Sequence, residues 1–265
     1  VNIQWLTCYK ANPNAKVRLF CFPYAGGSAS GFHSWLQWLP EWVELHIVQL
    51  PGRAERMAEP NINNMKEYIQ GIKSELVALT DKPYVLFGHS MGALAAFETL
   101  VMLYEAKLPK PDHCIFSGAL SPHRQNRMKP ISGLPKQEFV EELKKLNGTP
   151  EQVFNTPSLL DFCLPYIRAD FSVVEMFRTE FSGLLPSKST VIYGSEDKMN
   201  HNDMQEWQSF FTQDVDIKEF TGDHFFIHNE DNVMKIIEEL LTSFNNPSSC
   251  SMKESVGVTS DCFFP

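Results

Sequence analysis

Short apolar runs recur along the chain, each closed by turn residues, and stretches with helical spacing separate them. The runs at 16–22 (KVRLFCF), 43–50 (VELHIVQL), 84–87 (YVLF), 113–120 (HCIFSGAL), 189–197 (STVIYGSED) and within 215–224 (VDIKEFTGDH) predict six strands. Met65, Ile69, Ile72, Leu76 and Leu79 share one face of a helix predicted over 64–80. Similar spacing predicts helices over 91–103 and 232–244, and recurs in FHSWLQWLP at 32–40. Strands alternating with helices imply an α/β fold, a mostly parallel sheet with helices on both faces.

One segment breaks that rhythm. Residues 121–188 carry helical patterns at 136–146, 151–153, 158–164 and 173–181 and no convincing strand. The expected organisation is therefore a core from 1–120 and 189–245, a helical insertion at 121–188, and a tail at 246–265. The tail is Ser-rich and without periodicity, so disorder is expected there. No internal repeat is visible.

The run at 84–87 ends abruptly in Gly88-His89-Ser90-Met91-Gly92 and resumes as an Ala-rich helix. This pentapeptide fits G-x-S-x-G, a sharp strand-to-helix turn that lifts a nucleophilic serine above the sheet edge. The glycines stand where the backbone passes neighbouring elements too closely for a Cβ. The following amide, Met91, points at a developing oxyanion, and the helix start adds its positive end. His89 flanks the serine and is expected to pack or hydrogen-bond locally rather than act as base.

A serine hydroxyl needs a base, and the base an orienting carboxylate. With such an elbow the chain order is serine, acid, histidine. The run at 189–194 leads into SEDKM, which makes Asp197 the expected acid, with Glu196 and Asp203 as rivals. FTGDHFFIH makes His224 the expected base, with His228 as its rival. His33, His46, His113, His123 and His201 stand in the wrong place in the order. The glycine-containing loop CFPYAGGSASG after the first strand should supply the second oxyanion amide, from Tyr24 or Ala25.

Composition narrows the partners. The 265 residues carry a net charge of −9, which disfavours nonspecific nucleic-acid binding. Six scattered cysteines form no CxxC and no metal-ligand spacing; Cys21 and Cys114 read as buried free thiols. No signal peptide or membrane-length apolar run is visible, so a cytoplasmic protein with reduced cysteines is the expectation.

LFCFPYAGGSASGFHSW, LPGRAERMAEP, FGHSMGALAAFE, LPYIRADF, YGSEDKM and GDHFF together resemble the type II thioesterases, stand-alone α/β-hydrolases. The resemblance runs over about residues 8–245 and carries Ser90, Asp197 and His224 onto the family triad. It implies hydrolysis of acyl groups from the phosphopantetheine arm of an acyl or peptidyl carrier protein, under a helical lid. The served pathway would be fatty acid, polyketide or nonribosomal peptide synthesis. It implies no metal and no cofactor of the chain's own; a monomer is expected. Asp223 departs from the family's usual second glycine. Arg53 in LPGR and Arg168 with Asp170 in IRAD match family motifs, as structural salt bridges or as groups positioning lid or pantetheine. Carrier proteins of such pathways are acidic, and the stretch 121–137 offers Arg124, Arg127, Lys129 and Lys136 without a carboxylate. It is read as a docking patch or as a solvated loop. The alternatives to the thioesterase reading are a carboxylesterase or lipase on oxygen esters and a non-catalytic receptor on the same fold.

Overall fold

β2 (Val17–Phe22), β3 (Val43–Val48), β4 (Tyr84–His89), β5 (His113–Ser117) and β6 (Ser189–Gly194) are buried along their whole length. The computed structural model describes residues 5–127 and 129–244. A strand covered on both faces must be apolar at odd and even positions alike. Phe20, Phe22, Leu86, Phe116 and Val191 accordingly fill one core, while Leu19, Cys21, Phe87, Ile115 and Ile192 fill the other. β7 (Asp216–Phe220) lies at the edge and is largely exposed or half-buried, which explains its polar run.

With the short β1 (Leu6–Thr7) at one edge, the strand order is β1-β3-β2-β4-β5-β6-β7. Neighbours from β3 to β7 are parallel, and β1 pairs antiparallel with β3. The two-residue β1 is too short to leave a periodic signal. α1 (Met65–Ala78) and α2 (Met91–Glu105) cover the first face; α7 (Glu230–Leu241) covers the second, starting at the Asn229 cap. The order reverses around β2, so the loops after β2 and β4 meet at the carboxyl edge of the sheet. That switch point is where open α/β sheets place their ligands.

Two helix predictions change. The spacing at 32–40 belongs to a 3₁₀ stretch, Ala29–Gln37, whose buried residues Ala29, Phe32 and Trp35 recur every third position. The separate helices predicted at 158–164 and 173–181 are one, α5 (Pro157–Met176). Between the two predicted segments Asp170 is buried against distant partners, and the helix runs through the exposed Pro165. α3 (Lys136–Leu146), α4 (Glu151–Asn155) and the first half of α5 enclose a separate small core of Ile131, Phe139, Leu143, Cys163, Leu164 and Ile167. The second half of α5 enters the main core through Val173 and Phe177 follows it. Glu175 accepts from the amides of Ile131 (2.6 Å) and Ser132 (2.9 Å), and Arg168 donates to the carbonyls of Ser132 and Leu134, so α5 also pins the loop before α3. The expected tail at 246–265 lies outside the described residues.

Candidate active site

Ser90 joins β4 to α2 with φ 55° and ψ −118°, a left-handed conformation that a side chain adopts only under constraint. Its amide donates to the Ser117 carbonyl (2.7 Å), and its own carbonyl accepts from Ala93 (2.9 Å). The glycines on either side meet backbone. A Cβ on Gly92 would lie 1.9 Å from the Phe22 carbonyl oxygen, and one on Gly88 would lie 2.0 Å from the Gly92 oxygen. Met91 opens α2, so its N–H has no acceptor within the helix.

The loop after β2 abuts this turn through Phe22 and Pro23. Within it the Gly26 amide donates to Asp170 Oδ2 (2.7 Å) and the Gly27 amide to the Tyr24 carbonyl (2.9 Å). The amides of Tyr24 and Ala25 have no acceptor among the described residues. Both candidates for the second oxyanion donor are thus open, and the following two amides are not.

His224 Nδ1 and Asp197 Oδ2 lie 2.7 Å apart, and Asp197 Oδ1 accepts from the Lys198 amide (2.7 Å). The loops carrying them are stitched together by the Ser195 amide to the Phe220 carbonyl (2.7 Å) and the Glu196 amide to the Gly222 carbonyl (2.9 Å). Gly194 permits this approach, since a Cβ there would lie 2.4 Å from the Asp223 oxygen. The rivals have other partners: Asp203 completes the capping box of α6 (His201–Gln205), Glu196 is exposed, and His228 Nε2 meets the Tyr24 hydroxyl at 3.1 Å. Asp223 accepts from the Phe225 amide (2.8 Å) and from Asn147 (3.1 Å) after α3, which ties the insertion to the His224 loop.

A model of the thioesterase domain matches residues 17–244. The chain belongs to the thioesterase family. The gramicidin S biosynthesis protein GrsT of Aneurinibacillus migulanus is 33% identical over 226 residues, 85% of this chain and 88% of that protein. The medium-chain S-acyl fatty acid synthase thioesterase of Homo sapiens is 31% identical over 259 residues, 94% of this chain and 95% of that one. The solved structure of the type II thioesterase BorB from the borrelidin biosynthetic cluster has a TM-score of 0.80 at 32% identity, covering 89% of this chain and 97% of that chain. The chain is thus a type II thioesterase, a thioester hydrolase on an α/β-hydrolase fold.

His89 packs and hydrogen-bonds locally, as expected from the sequence, and its partners Ser117 and Gly118 are site residues that the sequence did not single out. His89 is buried behind the histidine loop, its Nδ1 at 2.8 Å from the Ser117 hydroxyl and its ring centroid 5.0 Å from that of His224. Burial, then the nearby charges of His224 and His228, hold its pKa well below the ordinary imidazole value. Gly118 (φ 59°) makes room for both rings, since a Cβ there would lie 2.6 Å from His89 Cε1 and 3.4 Å from His224 Cε1. The only sequence signal was the Ser-Gly pair inside HCIFSGAL, absorbed by the fourth strand prediction.

Elsewhere the picture is mixed. Arg124 pairs with Glu206 and, at 3.9 Å, with Asp203, so carboxylates of α6 and of the 3₁₀ turn after it compensate its charge. Lys129 is exposed, and the Arg127 side chain lies outside the described residues. Asp170 pairs with Arg53, not with Arg168. Cys8, Glu44 and His46 stand close enough to share an ion, but Glu44 already accepts from Arg18 Nε (3.0 Å) and the Asn12 amide (2.7 Å) and lies 2.8 Å from His46 Nε2. A guanidinium therefore occupies that carboxylate's charge. Among the described residues no helix is long and apolar enough to cross a membrane.

Proposed function

We propose that this thioesterase releases acyl groups from the phosphopantetheine arm of an acyl or peptidyl carrier protein, using Ser90 as nucleophile, His224 as base and Asp197 as its orienting acid. The observation that carries the reading is the 2.7 Å His224–Asp197 pair, held by loops at the edge where the strained Ser90 stands. Asp197 holds the imidazole with Nδ1 protonated, leaving Nε2 to take the serine proton. The hydroxyl oxygen attacks the thioester carbonyl, and the amides of Met91 and of Tyr24 or Ala25 stabilise the oxyanion. Expulsion of the pantetheine thiol needs less acid assistance than expulsion of an alkoxide, since thiol pKa values lie near ~8.5. His224 then activates water, and the acyl-enzyme is hydrolysed to the free acid.

The reading takes no metal or cofactor of the chain's own and a monomeric, cytoplasmic enzyme. Two relatives, one named for gramicidin S biosynthesis and one a medium-chain S-acyl fatty acid synthase thioesterase, support a role beside such a synthase. For the carrier, Lys129 is the better docking candidate, since Arg124 is compensated. Lys129→Glu is expected to slow turnover of an acyl-carrier protein and leave a small acyl-pantetheine thioester unaffected.

The deciding experiment compares matched acyl-pantetheine thioesters and oxygen esters in wild-type and Ser90→Ala protein. The thioester should be preferred, and Ser90→Ala should lose on the order of 10⁶-fold in kcat while remaining folded. A preference for oxygen esters would make the enzyme an esterase, and near-normal turnover by folded Ser90→Ala would remove the nucleophile assignment.

A further inference from the structure

Asp170 and Arg53 lie deep between the lid helix and the loop after β2. Asp170 is fully buried and Arg53 is 3% exposed. Arg53 Nη2 donates to Asp170 Oδ1 (2.7 Å), and Nη1 donates to Asp170 Oδ2. This buried fork-to-carboxylate pair has further partners on the loop. Asp170 Oδ2 accepts from the Gly26 amide (2.7 Å), and Arg53 Nη1 donates to the Gly27 carbonyl (3.0 Å). The pair therefore grips consecutive residues of one short turn, one by its amide and one by its carbonyl. Those residues directly follow Tyr24 and Ala25, whose amides are open. Gly26 has φ +80°, and a Cβ there would lie 3.3 Å from Ile167 of α5, so the turn also packs on the lid helix.

We infer that Arg53 and Asp170 are positioning residues that fix the oxyanion loop and tie it to lid helix α5. A backbone amide stabilises an oxyanion only when it is already aimed at it, and a loop has many alternative orientations. The carboxylate holds the end of the turn in place, and the guanidinium neutralises that carboxylate and fixes the next carbonyl. A pair whose role was only to stabilise the fold needs neither loop bond. Because Asp170 belongs to α5, the same pair joins the oxyanion loop to that helix.

The inference rests on Ser90 as nucleophile and on the Tyr24 or Ala25 amide as oxyanion donor. The test uses p-nitrophenyl acetate, whose small acyl group makes little demand on the lid, and Ser90→Ala as control. Removing either partner alone strands a buried charge and destabilises the protein. The informative variant is therefore the double change Arg53→Met with Asp170→Leu, because apolar replacement of a buried pair commonly preserves stability. It is expected to stay folded, with Tm lowered only by the two loop groups left unpaired, yet lose about 100-fold in kcat with little change in KM, as for a modest misplacement of catalytic groups. Wild-type kcat in this folded variant, with Ser90→Ala inactive, overturns the clamp alone. Undiminished turnover by Ser90→Ala overturns the nucleophile assignment and the clamp with it. Hydrogen exchange on the wild-type protein reads the same contact should the double variant not fold. The Gly26 amide is expected to be protected relative to other loop amides, and exchange at the open-loop rate overturns the inference.

Discussion

A non-glycine residue in a sparsely populated backbone region costs on the order of 1–3 kcal/mol. Ser90 bears that strain because β4 and α2, both buried, fix the chain on either side. Gly92 allows no relaxation: the atom facing its missing Cβ is a strand carbonyl, not a flexible side chain. Gly92→Ala is expected to lower both Tm and kcat, whereas an alanine on the solvent side of a helix changes neither. The two candidate acids separate as cleanly. Asp197 contacts His224, and Asp203 closes the α6 capping box. Asp197→Asn should lower kcat on the order of 10⁴-fold, because the imidazole is then held in the wrong tautomer. Asp203→Asn should leave kcat near wild type and cost at most about 1 kcal/mol in helix stability. Parallel measurement of kcat and Tm decides between them, and a reversed pattern would move the acid to Asp203.

At the scale of elements, α5 does the work of two: its first half belongs to the lid core and its second half reaches the main core. The lid's apolar positions divide accordingly. Phe139 and Leu143 are buried among the lid helices themselves. Val153, Phe154, Leu159 and Leu160 are only half-buried, and Phe162 is 47% exposed. Phe139→Ala should therefore destabilise the lid by about 3–5 kcal/mol. Leu159→Trp and Leu160→Trp should instead shift acyl-chain-length preference while sparing short acyl thioesters. A rate series across chain lengths measures this, and an unchanged profile would mean that the half-buried positions only pack on their neighbours.

Across the whole molecule, several buried imidazoles set how the fold responds to acid. His113 is fully buried, 2.8 Å from the Thr190 hydroxyl, and burial followed by the nearby Lys188 lowers its pKa to about 4. Above pH ~6.5 neither folded nor unfolded chain protonates this ring. Between there and about 4 only the unfolded chain takes up the proton, so stability falls as pH falls. Below about 4 both states are protonated and the loss levels off. The full effect is on the order of 3 kcal/mol. His89 acts with the same sign. Burial raises the Glu44 pKa, but the Asn12 amide, His46 and Arg18 overcome this and hold it at about 2. Its contribution is therefore complete above the ordinary carboxylate range and is lost as pH falls toward about 2. Denaturant midpoints should fall between pH 6.5 and 4.5, and His113→Gln should flatten that slope. A flat wild-type profile would show that the ring titrates freely.

What the sequence determined by itself was local or ordered along the chain. Strands buried on both faces appear as continuous apolar runs, and the elbow announces itself because only glycine fits where backbone meets backbone. The order serine, acid, histidine selected Asp197 and His224, and the structure brings those two side chains together. Tertiary structure alone decided which charges meet. Arg53 and Asp170 are 117 residues apart, and nothing local distinguishes Asp170 pairing with Arg53 from pairing with Arg168 two positions away. It also joined two predicted helices into α5, because burial against distant partners outweighs a polar interruption and a proline, and it placed Ser117 and Gly118 behind the site. The physical reason is common to these cases: intrinsic preferences act over a few residues, whereas the partner of a buried charge or ring is set by the packing of elements far apart in the chain.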